Sequence, residues 1–116
     1  MTLIRDFPQA VGNRYVGIVD HAGPTSYTQL TPGAAGSPPT GGDTLLAAEA
    51  GMKFITAVSG QLDSTGTYTS DASMGASGGA EQTKVFLIWC LSTTGAQVGG
   101  GTNLSGFFMR FIVWGR

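Results

Sequence analysis

The sequence predicts an all-β fold, an antiparallel β-sandwich or jelly-roll-like body with one short helical turn near residues 44–50 and an extended N-terminal arm. Three observations predict it. Two apolar runs, residues 84–92 (KVFLIWCLS) and 107–114 (FFMRFIVW), are strand-sized and rich in β-branched and aromatic residues. The segments between candidate strands are dense in Gly, Ser and Pro, with 19 glycines in 116 residues, and such stretches mark turns rather than helices. Only one segment has the composition of a helix. The length suits one β domain over 1–116, large enough for one modest core.

Residues 1–13 read as an extended arm, because Pro8 and Gly12 discourage helix. Arg14 to Asp20 (RYVGIVD) is a strand, with Val16 and Ile18 on one face. Residues 23–42 hold four of the five prolines and read as a long loop, the kind that is functional or ordered by a partner. In residues 43–51 (DTLLAAEAG), Asp43 is suited to cap a helix start and Gly51 to take the left-handed stop. The turn between them places Leu45 and Leu46 inward and is too short to stand without packing. Met52 to Val58 alternates with a period of two, which is strand periodicity. Residues 60–66 make a turn, Thr67–Thr69 a short edge strand, and residues 70–82 a Ser/Ala/Gly-rich loop. Residues 93–106 connect the two strong strands.

Those two strands set the main demand on the fold. Val85, Leu87, Trp89 and Leu91 share one face, and Phe86, Ile88 and Cys90 share the other. In the last strand Phe107, Met109, Phe111 and Val113 oppose Phe108, Arg110, Ile112 and Trp114. Both faces are apolar, where a half-buried strand would show polar residues outside. Each large apolar side chain gains roughly 1.5–3 kcal/mol on full burial, and an apolar sheet left in water invites aggregation. A single sandwich has one interior, so loops, the arm or another copy of the chain must cover the second face. Charged residues are only 11% of the chain, against about 25% in ordinary soluble domains, so little keeps copies apart, which favours another copy.

The formal net charge of −1 argues against a nucleic-acid binder that works by neutralising phosphates. No apolar run approaches the roughly 18 residues of a membrane helix, and Met1–Pro8 lacks the apolar centre of a secretory signal. Cys90 is the sole cysteine, so there is no intrachain disulfide. These features imply a non-membrane protein assembled in a cytoplasm.

The chemistry-bearing residues do not converge in the sequence. His21 is the only histidine and follows Asp20 directly, so on a strand the two point to opposite faces and make no ready base and orienter. It reads as a polar residue capping a turn. No Gly-x-Ser-x-Gly elbow occurs, and residues 99–102 (GGGT) lack the lysine of a phosphate loop. Cys90, inside the most apolar run, reads as a small buried hydrophobe. Trp89 and Trp114 read as core or interface residues, with a sugar-stacking platform that also draws on Tyr15, Tyr27 and Tyr68 as the competing reading. Arg110, within FFMRFIVW, is either the snorkelling edge of a strand or a paired charge at an interface. No catalytic, metal or cofactor site is expected.

Two segments carry a resemblance. Residues 39–52 (PTGGDTLLAAEAGM) join a Thr-Gly-Gly turn, a Leu-containing helical turn, a Gly stop and a strand, and residues 102–116 (TNLSGFFMRFIVWGR) run from an Asn-Leu-Ser-Gly turn into an aromatic strand ending in Gly-Arg. Together, about a quarter of the chain resembles small tailed-bacteriophage virion proteins, the capsid decoration (cement) and head structural proteins. The sequence departs from them in longer insertions at 23–38 and 70–82. The resemblance implies a β-rich, often trimeric protein on a virion's capsid surface, partnered by the major capsid protein and by itself, with no catalytic residue to carry over.

On that reading the chain bridges capsid subunits and stabilises the assembled shell. Leu3, Ile4 and Phe7 of the arm reach a neighbour, and Phe108, Arg110, Ile112 and Trp114 form the self-association face. Tyr27 and Leu30 add capsid contact from their loop. The alternative is a carbohydrate- or receptor-binding β module of a virion, using exposed aromatics.

Overall fold

Among the described residues, seven strands form two antiparallel sheets that face each other across a common core. The computed structural model describes residues 2–31, 39–60, 65–73 and 82–116. The strands are β1 (Thr2–Val11), β2 (Arg14–Ala22), β3 (Asp43–Leu46), β4 (Ile55–Gly60), β5 (Tyr68–Ser73), β6 (Lys84–Leu91) and β7 (Phe108–Gly115), with one 3-10 turn at Ala47–Ala50. The first sheet runs β1-β2-β7-β4 and the second β3-β6-β5. The all-β sandwich is thus as the sequence predicts.

The two strong strands lie at the centre of their sheets, where neighbours on both sides pair their backbone. Their inward faces are those the alternation picks out. Val85, Leu87 and Trp89 from β6 meet Met109, Phe111 and Val113 from β7, all 1% exposed or less. Val19, Tyr27, Leu45, Ile55, Val98 and Leu104 complete the core. Burial of these side chains, each worth roughly 1.5–3 kcal/mol, holds the sheets together.

Several elements differ from expectation. The N-terminal arm is extended but not free: β1 pairs antiparallel with β2 from Thr2↔His21 to Val11↔Arg14, with two register breaks around Asp6. Residues 43–46, expected in a helical turn, form β3, where Leu45 stands opposite Val85 of β6. The ladder offers those residues backbone partners and a core position at once, and it shrinks the helix to Ala47–Ala50. Leu45 points inward as expected, whereas Leu46 is exposed, because neighbours on a strand face opposite ways. Gly51 does take the left-handed stop, at φ 73°, and its N–H donates to Ala48 O at 3.1 Å. The strand expected at 52–58 begins at Ile55, and β5 runs on to Ser73, into the stretch expected as loop. Residues 74–81 of that loop, and residues 32–38 of the long loop, lie outside the described residues.

Candidate functional site

The outward face of the first sheet is built from alternate residues of three strands. Along β7 it presents Phe108, Arg110, Ile112 and Trp114, which stand opposite Ala22, Asp20, Ile18 and Val16 of β2. Beyond β2, Leu3 of β1 stands opposite Asp20. Phe108 and Trp114 keep about a third of their surface in solvent (37% and 36%), and Leu3 about half (52%). Val16, Ile18 and Ile112 are half-buried. Phe7, at the register break of β1, is the most exposed large apolar residue described, at 70%. An open pocket at one end of the face is lined by Leu3, Arg5, Asp20, Ala22 and Phe108.

One buried carboxylate sits in this face. Asp20 accepts from Arg110 Nε at 2.8 Å and Nη2 at 3.2 Å, and from Arg5 Nε at 2.5 Å. Both arginines are about half exposed while Asp20 is buried, so two solvated cations cap one desolvated anion. The Arg110 guanidinium holds the Asp20 carboxyl below its ordinary range; burial opposes this and Arg5 reinforces it. Arg110 is thus half-exposed and paired with a carboxylate of its own chain, not with one across an interface.

The opposite face of β2 carries a second polar group, which the sequence did not disclose. His21 is buried, with Nδ1 2.7 Å from Thr2 Oγ1 and Nε2 2.7 Å from Asp43 Oδ2. Thr2 Oγ1 in turn donates to Glu49 Oε2 at 2.9 Å, and Trp89 Nε1 donates to Asp43 Oδ2 at 3.2 Å. His21 is therefore a buried tie between the sheets rather than a turn cap. Asp20 and His21 do point to opposite faces, as their adjacency on a strand requires. The sequence signal for the tie is weak, since its members lie 19 to 47 positions apart and meet only when the sheets stack.

The structure divides the expected interface residues. Leu3, Phe7, Phe108, Arg110, Ile112 and Trp114 lie outward or half-buried on the first sheet. Ile4 instead packs inward against the core, because it alternates with Leu3 along β1. Tyr27 and Leu30 are buried, at 1% and 9% exposed, and are not surface contacts. Tyr27 donates its hydroxyl to Gln97 Oε1 at 2.7 Å, and the same Gln97 oxygen accepts from Leu30 N–H. The loop is thus stitched to the core by its own chain. Cys90 is buried, as expected, and its backbone pairs with Gln97 in an isolated bridge beside β6.

Among the described residues, no three His, Cys, Asp or Glu side chains are grouped to hold a metal ion, and no helix is long and apolar enough to cross a membrane. Comparison with protein-family models, with characterised proteins and with solved structures finds no match.

Proposed function

We propose that this chain is a structural protein of a bacteriophage virion, a capsid decoration protein that binds the assembled head shell and stabilises it by bridging capsid subunits. The observation that carries this reading is the outward face of the first sheet, where Leu3, Phe108, Ile112 and Trp114 present apolar surface around a single charge cluster. Apolar surface gathered on one sheet face, in a chain so poor in charge, suits burial against other protein. The resemblance of residues 39–52 and 102–116 to small virion proteins supplies the class of partner.

The role is mechanical. A protein that binds only the assembled lattice stabilises the lattice by mass action. Self-association, as a homotrimer, multiplies the attachment points, so each further contact forms at high effective concentration. The open pocket lined by Leu3, Arg5, Asp20, Ala22 and Phe108 offers this face a recess for a protruding side chain.

The test is direct. Sedimentation of the purified chain at micromolar concentration is expected to show an oligomer, and heads carrying the chain are expected to resist heat better than heads stripped of it. A chain that remains a monomer and leaves shell stability unchanged overturns the proposal.

A further inference from the structure

The half-buried group around His21, whose own ring is buried, has a proton count that does not close with ordinary charge states. Three contacts run in series: Glu49 Oε2 to Thr2 Oγ1 at 2.9 Å, Thr2 Oγ1 to His21 Nδ1 at 2.7 Å, and His21 Nε2 to Asp43 Oδ2 at 2.7 Å. Each needs one hydrogen between its heavy atoms. A threonine hydroxyl has one proton, a neutral imidazole has one, and ionised carboxylates have none. That makes two hydrogens for three contacts. The last contact takes the proton on Nε2, because a carboxylate only accepts. The hydroxyl can then serve Glu49 or His21, and one contact is left as two lone pairs facing each other.

We infer that His21 closes the count by carrying a second ring proton, so that an imidazolium between Asp43 and the Thr2 hydroxyl latches the start of β1 to the opposite sheet. Nδ1–H then donates to Thr2 Oγ1, whose own proton goes to Glu49. The remaining partners fit this assignment. Asp43 already accepts from Thr44 N–H at 2.8 Å and from the Trp89 indole, and Glu49 Oε1 accepts from Leu46 N–H at 2.9 Å. Both carboxylates are thus held by donors on every side. The groups that face His21 come from four other elements and the turn: Thr2 on β1, Asp43 on β3, Trp89 on β6 through Asp43, the Phe111 ring on β7 at 6.5 Å, and Glu49 on the 3-10 turn through Thr2. The only ionisable ones are the two carboxylates. Asp20, Arg5 and Arg110 lie on the far side of β2.

The consequence is a proton-dependent latch. The closed state binds one proton more than its separated parts supply, so acidification within the near-neutral range favours it and alkalinisation opens it. The segment it releases is the beginning of an edge strand, whose one partner strand is β2.

Glu49→Gln tests the count. A glutamine amide at that position donates to Thr2 Oγ1 while its oxygen still accepts from Leu46 N–H. The threonine proton is then free for Nδ1, and a neutral imidazole satisfies every contact. Because His21 is the only histidine, its ring nitrogens are read without ambiguity by nitrogen-15 NMR. At one near-neutral pH, the wild-type ring is expected to show two N–H groups and the E49Q ring one. Between about pH 5 and about pH 8, the range over which histidine charge ordinarily changes, protection of the wild-type β1 amides near Thr2 against hydrogen exchange is expected to fall about tenfold, the worth of one charge-assisted hydrogen bond, while E49Q stays flat. A wild-type ring with one N–H, or the same pH response in both proteins, overturns the inference. His21→Gln, which cannot titrate, serves as the second variant and is also expected to be flat.

Discussion

Asp20 and Arg110 stand directly opposite each other on β2 and β7 and are joined by two hydrogen bonds, Arg110 Nε to Oδ1 at 2.8 Å and Nη2 to Oδ2 at 3.2 Å. They lie ninety positions apart, yet the pair ties two neighbouring strands of the first sheet at their outward surface. It also explains how a charge can sit in an apolar face: the anion is buried, and the cations that neutralise it reach water.

This pairing sets an acid limit on stability. The Asp20 carboxyl is held below its ordinary value of 3.8 by Arg110 and then Arg5, so it stabilises the fold at any pH above that ordinary value and ceases to do so as the pH falls through the depressed one. Asp20→Asn is expected to cost about 1–2 kcal/mol at neutral pH, a figure kept low by the exposure of both arginines. Chemical denaturation at a series of pH values should show the two proteins converging below about pH 4.

The two tryptophans should separate folding from association. Trp89 is fully buried and Trp114 is about a third exposed. Trp89→Ala is expected to destabilise by about 3–5 kcal/mol, as large-to-small core changes do. Trp114→Ala is expected to cost no more than about 1.5 kcal/mol, while lowering the sedimenting mass of the purified chain and its retention on shells. Should the proposed face instead serve glycans, Trp114→Ala would abolish sugar binding and leave the mass unchanged.

Two glycines near the C-terminus should respond unequally to one added methyl group. A Cβ on Gly115 would fall on the Phe54 carbonyl oxygen, where the chain end is bound by the Lys53 and Phe54 N–H groups donating to Arg116 O at 2.6 and 2.8 Å. Gly115→Ala is expected to lower stability by about 1–3 kcal/mol. Gly106→Ala meets nothing within 4 Å and is expected to stay within about 0.5 kcal/mol of wild type. Thermal unfolding of the two variants side by side checks both.

Cys90 should be inert in the folded protein. Burial pushes its thiol upward, and the Asp71 carboxylate acts in the same direction, so the reactive thiolate is disfavoured. Alkylation by a soluble reagent is expected to be slow under native conditions and to rise to the free-thiol rate in denaturant. Fast native labelling would contradict the burial of this position.

What the sequence discloses, and what it conceals, follows from range. β6 and β7 are legible because both faces are apolar over eight residues and no helix stripe fits that pattern. β1 is concealed by Pro8 and by irregular alternation, both of which reflect its register breaks against β2. Residues 43–50 mislead because Leu, Ala and Glu are good helix formers, while the pairing of Leu45 with Val85 is a long-range fact that outweighs local propensity. Tyr27 and Leu30 sit in a Pro- and Gly-rich stretch that reads as surface, yet Gln97, about seventy positions on, binds both. The outward apolar face is partly legible, since alternation places Phe108, Ile112 and Trp114 together, whereas its partition from the inward Ile4 requires the register of β1.

The interruptions in β1 have a consequence for the open border of the first sheet. A border that kinks at two places and carries a proline, which brings no N–H, offers no continuous row of backbone groups for a foreign strand to zip along. Lateral growth into ribbons is thereby obstructed on that side.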